Sequence, residues 1–185
     1  RLLLQVLDAV AFAHRQLVVH RDLKPSNILV DAAGHAFLLD FGIAKLMEDD
    51  DAGHTRTGER AFTPEYASPE QLHGEPVSTA TDLYQLGVLL YALLAQAHPY
   101  GLTGETPLRT RLARMDGDPQ PLWDAALQSS LADAAMRGST PAALARQLRG
   151  DLSAIARRCL AADAAQRYGS VDALRADLLA WLDGK

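Results

Sequence analysis

The sequence predicts a mainly α-helical domain that carries one small β-hairpin. The first stretch places apolar side chains at helical spacing, as at Leu3, Leu7 and Val10. Residues 78–94 form a second candidate helix, which is apolar on nearly every face and is therefore expected to be buried. Between them, two short apolar runs flank the polar, glycine-terminated turn of residues 31–34, which is the pattern of a hairpin.

Composition is that of an ordinary globular protein and excludes several function classes. The 185 residues suffice for one domain with a hydrophobic core, and 48% of them are hydrophobic. A net charge of -5 argues against a nucleic-acid-binding protein, which normally has a basic face. The single cysteine, Cys159, excludes an intramolecular disulfide and a cysteine-rich metal site, and is expected to be a buried apolar side chain. No apolar run reaches the roughly 18 to 20 residues that a membrane-spanning helix needs.

The first part of the chain combines a helix with the hairpin. The helix is predicted from Leu2 to about His14, and Val18–Val19 follows as a short strand lead-in. The hairpin strands are predicted at residues 28–30 and 36–39. Their pairing should hold Asn27 and Asp40 at adjacent strand ends, close enough for both side chains to contact one metal ion.

The second part is predicted to be mainly helical. Ser78 is a hydroxyl cap for the buried helix, in which Gly87 is expected to permit close packing with a neighbour. Four prolines interrupt residues 98–138, where one short helix is predicted at residues 108–115. Further helices are predicted from Thr140–Pro141 to near Gly150, from Asp151 to Leu160, and after the cap Ser170.

Two polar motifs concentrate the chemistry. Residues 20–27 read His-Arg-Asp-Leu-Lys-Pro-Ser-Asn, and residues 40–42 read Asp-Phe-Gly. Asp22 can accept the hydrogen bond and finally the proton of a substrate hydroxyl, and Lys24 can neutralise charge on a phosphoryl group in transfer. Asn27 and Asp40 offer the hard oxygen ligands that Mg²⁺ prefers when it accompanies a nucleoside triphosphate. The motifs therefore predict a phosphoryl-transfer centre.

These motifs resemble the signature of protein kinases. The chain looks like the C-terminal lobe of a bacterial, eukaryotic-like (Hanks-type) serine/threonine protein kinase, and Lys24, two residues after Asp22, fits the serine/threonine class. The resemblance implies the mainly α C-lobe of the α+β two-lobed kinase fold, as one domain over residues 1–185 with a catalytic loop at 20–27 and an activation segment at 40–70. It also implies transfer of the γ-phosphoryl group of ATP to Ser/Thr hydroxyls of proteins, with Mg²⁺ or alternatively Mn²⁺.

The resemblance assigns roles within the activation segment. Thr55 and Thr57 are expected to be autophosphorylated, with Arg21 and Lys45 as the cationic partners of the phosphate. Two copies of the kinase are the expected partners in this reaction, each modifying the other.

The stretch from Thr63 to Glu70 resembles the substrate-docking loop and the Ala-Pro-Glu motif of the family. Thr63 is expected to hydrogen-bond near Asp22 and Lys24. Glu70 is expected to form a structural ion pair with Arg167. Asp82 matches the aspartate that accepts backbone hydrogen bonds from the catalytic loop. It also suits a helix start, where the dipole favours a carboxylate.

Parts of the family pattern are not found in the chain. No Gly-x-Gly-x-x-Gly motif occurs and no lysine precedes Lys24, so the N-terminal lobe that covers the nucleotide in kinases is expected to be absent. We therefore expect the isolated chain to have no useful kinase activity. The kinase domain is expected in the cytoplasm, and a segment of the parent protein outside the chain could anchor it to a membrane.

Two other functions stay open at the level of sequence. A pseudokinase-like interaction scaffold is one, because the chain does not show whether the nucleotide lysine is intact, although all four catalytic-lobe positions are intact. A small-molecule phosphotransferase is the other, and Lys24, the paired threonines and the motif at residues 68–70 argue against it.

Overall fold

The computed structural model describes residues 1–40 and 63–184 and confirms the mainly helical fold. In these residues the chain forms nine α-helices and one two-stranded antiparallel sheet. The strands are β1 (Ile28–Val30) and β2 (Ala36–Leu38), and short 3-10 turns lie at Pro25–Asn27 and Ala164–Gln166. The helices are α1 (Leu2–Arg15), α2 (Pro69–His73), α3 (Thr79–Ala95), α4 (Leu108–Met115), α5 (Leu122–Leu127), α6 (Leu131–Ala135), α7 (Pro141–Leu148), α8 (Asp151–Cys159) and α9 (Val171–Leu182). No helix in the described ranges has the length and apolar character to cross a membrane.

Helix α3 is the centre of the core. Ser78 caps it with its hydroxyl, which accepts the N–H of Ala80. Every side chain from Thr81 to Tyr91 is buried, as the uniformly apolar pattern predicted. A Cβ atom at Gly87 would lie 2.5 Å from the Cβ of Cys159, so the glycine permits α8 to pack directly on α3. The predicted close packing at Gly87 is confirmed.

The hairpin joins the site to α1. Ile28 pairs with Leu38 in the antiparallel register of β1 and β2. Gln5 of α1 donates to the carbonyl of Gly34 at 3.1 Å and accepts the N–H of Ala36 at 2.9 Å. These contacts attach the hairpin to the core at its turn.

Two sequence predictions differ from the structure. Val18–Val19 was predicted to lead into a strand, but it joins no sheet in the described residues, and Val18 donates its N–H to Ala13 at the end of α1. Residues 98–138 contain α5 and α6 in addition to the predicted α4. Helices of five or six residues are too short for apolar periodicity to reveal.

The C-terminal helices begin at the predicted caps. Thr140 accepts the N–H of Ala143 at the start of α7, and Ser170 accepts that of Ala173 at the start of α9. Helix α9 packs against α1, and helix α8 packs against α3. The helical layer thus encloses α3, whose first turns face the catalytic loop.

Candidate active site

Asp82 holds the catalytic loop from the first turn of α3. Its side chain is fully buried, and its two oxygens accept the backbone N–H groups of His20 and Arg21, each at 2.8 Å. His14 of α1 approaches the same carboxylate, with Nε2 2.7 Å from Oδ2. One buried carboxylate therefore joins α1, α3 and the loop, and the placement of Asp82 in the first helical turn serves the helix dipole as well.

His20 links the loop to the end of β2. The N–H of Asp22 donates to Nδ1 of His20 at 3.3 Å, so Nδ1 is an acceptor and the proton resides on Nε2. Nε2 then donates to the carbonyl of Leu39 at 3.0 Å. This ring fixes the distance between Asp22 and the residue that follows Leu39, which is Asp40.

Two buried glutamine amides complete the support beneath Asp22. Gln85 of α3 accepts the N–H of Leu23 at 2.8 Å and donates to the carbonyl of Arg21 at 3.0 Å. Gln71 of α2 donates to the same carbonyl at 2.8 Å. Arg21 adopts a positive φ of 70°, and these bonds offset the cost of that conformation. The backbone on both sides of Asp22 is thus fixed by α2 and α3.

The Asp22 carboxylate lies among three donors. Thr63 donates its N–H to Oδ1 at 2.9 Å, and the Lys24 ammonium lies 2.9 Å from Oδ2. The Asn27 amide donates to Oδ2 at 3.4 Å and to the main-chain carbonyl of Asp22 at 2.8 Å. Lys24 also donates to the hydroxyl of Thr63. The arrangement orients one carboxylate and places a positive charge beside it.

The hairpin brings Asn27 and Asp40 to adjacent positions, as its predicted geometry required. The N–H of Leu39 donates to the carbonyl of Asn27 at 2.8 Å, one step beyond the β1–β2 pairing. The amide nitrogen of Asn27 is engaged by Asp22, so its amide oxygen is the atom that remains for a metal ion. Asp40 is exposed and adopts a left-handed φ of 52°. One amide and one carboxylate oxygen fit a divalent ion whose other ligands are phosphates and water.

Glu70, the last residue of the docking segment (residues 63–70), forms a buried ion pair with Arg167. The guanidinium donates to both carboxylate oxygens, at 2.8 and 2.9 Å, and Thr81 donates its hydroxyl to the same carboxylate. Burial alone raises the pKa of Glu70, but the hydrogen bonds and charge of Arg167 outweigh burial and hold that pKa below its ordinary value. Arg167 also donates to the carbonyls of Ala80, Ala161 and Ala162. The pair therefore connects α2, α3 and the turn before α9.

The residues proposed for activation by phosphorylation are, apart from Arg21, not among those that the structure describes. Lys45, Thr55 and Thr57 fall outside the described residues, as does most of the activation segment. Arg21, their proposed partner in the catalytic loop, is half-buried.

Sequence reasoning missed three side chains of the site, namely His14, Gln71 and Gln85. Gln85 carries a signal that could have been read, since it is an amide inside a helix that is otherwise apolar after its first turn. A buried amide there needs partners, and the catalytic loop supplies them. Gln71 stands three residues after Ser68, which is the spacing of a capping box, whereas His14 carries no comparable signal.

Comparison with known proteins gives the same assignment as the motifs. The model of the protein kinase domain family matches residues 1–179. The chain is 33% identical over 180 residues to a probable serine/threonine-protein kinase of Streptomyces coelicolor, covering 97% of this chain and 24% of that protein. It is 32% identical over 172 residues to serine/threonine-protein kinase PknB of Mycobacterium tuberculosis, covering 93% of this chain and 24% of that protein. It is 41% identical over 129 residues to serine/threonine-protein kinase PkaA of Streptomyces coelicolor, covering 64% of this chain and 23% of that protein.

The family match includes the whole candidate site. It ends within α9, so the catalytic loop, the hairpin and the Glu70–Arg167 pair all lie inside it. The chain spans about a quarter of the length of the curated relatives it matches. It belongs to the protein kinase domain family, and its fold is that of the helical C-terminal lobe.

Proposed function

We propose that the protein containing this chain is a serine/threonine protein kinase, which transfers the γ-phosphoryl group of ATP to Ser and Thr hydroxyls of proteins. The observation that carries the proposal is the environment of Asp22. Its carboxylate is oriented by Thr63 and has the Lys24 ammonium 2.9 Å away. A carboxylate so held suits proton removal from a hydroxyl beside a negatively charged phosphoryl group. The names of the bacterial relatives support the same reaction class.

Asp22 is the general base in this proposal. It accepts the hydrogen bond of the acceptor hydroxyl and aims the oxygen at the γ-phosphorus. It takes up the proton as the new bond to phosphorus forms and the bond from the γ-phosphorus to the bridging oxygen breaks, which releases ADP. Lys24 neutralises negative charge on the transferred group. Thr63 engages the second oxygen of Asp22 and so restricts rotation of the carboxylate.

Asn27 and Asp40 are the proposed ligands of the divalent ion that accompanies ATP, with Mg²⁺ preferred and Mn²⁺ also suited. When bound, the ion neutralises phosphate charge and orients the nucleotide. The support for this assignment is the hairpin, whose backbone pairing brings the two residues to adjacent positions.

We propose that activation follows from phosphorylation of Thr55 and Thr57 between two copies of the kinase. Arg21 and Lys45 would receive the added phosphate, which carries nearly two negative charges. The support is the position of the four residues in the sequence relative to the catalytic motifs. The kinase domain acts in the cytoplasm in this proposal, and a membrane anchor of the protein would lie outside residues 1–185.

The test uses the intact protein with ATP and Mg²⁺, followed by peptide mass spectrometry. The unaltered protein should carry phosphate on Thr55 or Thr57, and Asp22→Asn should carry none, because an amide cannot take up the proton. The matched control is Asp172→Asn, since Asp172 is an exposed aspartate in a loose surface ion pair of 3.8 Å with Arg15. This control should retain full phosphorylation.

Other outcomes point to other functions. Binding of ATP without transfer to any protein would favour the interaction scaffold, and transfer only to small molecules would favour a small-molecule phosphotransferase. We also propose that the isolated 185 residues do not transfer phosphate, because they contain neither a glycine-rich loop nor a lysine before Lys24. Steady transfer by that chain alone would contradict this part.

A further inference from the structure

Arg111 is a buried cation that contacts the docking segment from behind. It lies on α4 and its side chain is among the most buried of the described residues, with 1% of the residue exposed. Its guanidinium donates to the carbonyl of Pro64 at 2.8 Å, to that of Thr103 at 2.8 Å and to that of Thr106 at 3.2 Å. No carboxylate forms an ion pair with it in the described part of the chain.

An arginine at this position needs a reason other than stability. A buried charge costs several kcal/mol in desolvation, and an apolar side chain of similar volume usually fills such a place at lower cost. Burial lowers the pKa of Arg111, while the charge of Glu65 acts in the opposite direction. The planar guanidinium, with its five N–H donors in a fixed fork, is well suited to join carbonyls from two separate segments at once.

His98 performs the same task on the next residue. Its Nε2 lies 2.8 Å from the carbonyl of Glu65, and its Nδ1 accepts the N–H groups of Tyr100 at 3.1 Å and Leu102 at 3.3 Å. Because Nδ1 is an acceptor, the proton resides on Nε2 and donates to Glu65. Burial lowers the pKa of His98 to about 4, so the ring is neutral near pH 7. Two consecutive carbonyls of the docking segment are therefore held, that of Pro64 from α4 and that of Glu65 from the loop between α3 and α4.

These carbonyls lie next to the catalytic carboxylate. Thr63, which precedes Pro64, donates its N–H to Asp22 at 2.9 Å. An acceptor polypeptide that brings its hydroxyl to Asp22 must pass the backbone of residues 63–66, because Thr63 itself contacts that carboxylate. The path of this backbone thus decides how the polypeptide is seated.

We infer that Arg111 and His98 are positioning residues, which hold the backbone at Pro64 and Glu65 so that a protein acceptor is seated with its hydroxyl at Asp22. The inference rests on the proposed kinase function. It makes α4 and the loop before it a determinant of acceptor binding, although neither side chain touches the reacting atoms. ATP binding and ATP hydrolysis involve no acceptor polypeptide, so they do not require the backbone at Pro64 and Glu65 to be held in this position.

The experiment compares two reactions of the intact protein, namely phosphate transfer to a synthetic peptide of residues 50–62 of this chain and hydrolysis of ATP without peptide. Arg111→Met keeps the length of the side chain but removes all donors. We expect the KM for the peptide to rise about ten-fold, with the KM for ATP and the hydrolysis rate within about two-fold of the unaltered protein. Arg111→Lys keeps the charge but loses the planar fork of donors. Its KM for the peptide should lie between those of the unaltered protein and Arg111→Met. Arg109→Met is the matched control, because Arg109 is an exposed arginine on the same helix, and it should change neither reaction.

A second variant guards against loss of folding in Arg111→Met. His98→Phe keeps an aromatic ring and removes the donor to Glu65, and should raise the peptide KM about three-fold with unchanged hydrolysis. An unchanged peptide KM in the folded variants would overturn the inference, and so would an equal loss of transfer and hydrolysis, which marks a structural role only. Absence of transfer by the unaltered protein to the peptide or to itself would instead refute the proposed function, and the inference with it.

Discussion

Replacing Arg167 by Met should be among the most destabilising single changes in this lobe. The substitution removes the two hydrogen bonds to Glu70 and the bonds to the carbonyls of Ala80, Ala161 and Ala162. It leaves the carboxylate of Glu70 buried, with the hydroxyl of Thr81 and a backbone N–H as its donors but no positive charge beside it. Breaking a buried pair from one side costs about 3 to 5 kcal/mol, mostly from the uncompensated charge. Since domains are stable by about 5 to 15 kcal/mol, the loss is a large fraction of the total.

The pH dependence of this loss is a sharper test than its size. In the unaltered protein the pKa of Glu70 lies below its ordinary value of 4.5, so its contribution to stability is present above that pH and is lost as the pH falls through the folded-state pKa. Without Arg167, burial dominates and the pKa of Glu70 should rise above 4.5. Protonation of Glu70 at low pH then removes the unpaired buried charge, so the variant is destabilised less there. The difference in unfolding free energy should therefore be larger at pH 7 than at pH 4.5.

Urea unfolding followed by far-UV circular dichroism at pH 7 and pH 4.5 measures the loss of unfolding free energy and its change with pH. Arg157→Met is the control, because Arg157 is exposed, and it should change stability by less than about 0.5 kcal/mol. The double variant Glu70→Gln with Arg167→Met should be more stable than Arg167→Met alone, since the unpaired charge is gone. A loss below about 1.5 kcal/mol, or one that does not shrink at pH 4.5, would refute the reasoning from a buried ion pair.

Three further predictions concern packing, protonation and the catalytic loop. Gly87→Ala should lower the unfolding free energy by about 1 to 3 kcal/mol in thermal unfolding, because the added Cβ would lie 2.5 Å from that of Cys159 and the strain exceeds the gain in helix propensity. The pKa of His98 is lowered to about 4 in the fold, so its contribution to stability is present above pH about 6.5 and is lost as the pH falls toward 4. In urea unfolding, the unaltered protein should lose up to about 3 kcal/mol of unfolding free energy over this range relative to His98→Phe. Asp82→Asn should lower kcat at least about ten-fold with the helical circular dichroism retained, because its amide can accept only one of the two backbone N–H groups that Asp82 holds.

Each of these has a result that would contradict it. Stabilisation of the protein by Gly87→Ala would show that α3 and α8 can separate without cost. Parallel pH curves for the His98 variant and the unaltered protein would show that the ring is not the titrating group. Full activity of Asp82→Asn would show that the loop keeps its conformation without the buried carboxylate.

Local signals predicted much of the fold because they act over a few residues. Caps at Ser78, Thr140 and Ser170 satisfy N–H groups within three positions, so the sequence carries both partners. The hairpin likewise follows from two short runs and the turn between them. Helices α5 and α6 were missed because their few residues give no periodic pattern.

The sequence alone predicted which groups would carry the chemistry: Asp22, Lys24, Asn27 and Asp40 stand out by residue type and spacing, and the hairpin that brings Asn27 and Asp40 to adjacent positions is itself local. The tertiary structure decided which side chains support them. Gln85 contacts Leu23 across 62 positions and Arg111 contacts Pro64 across 47, and in each case the partner is a backbone group. Every residue has a backbone carbonyl and nearly every residue an N–H, so no sequence pattern marks the one that a distant side chain will contact. Only the packing of α3 and α4 against the loops makes that choice.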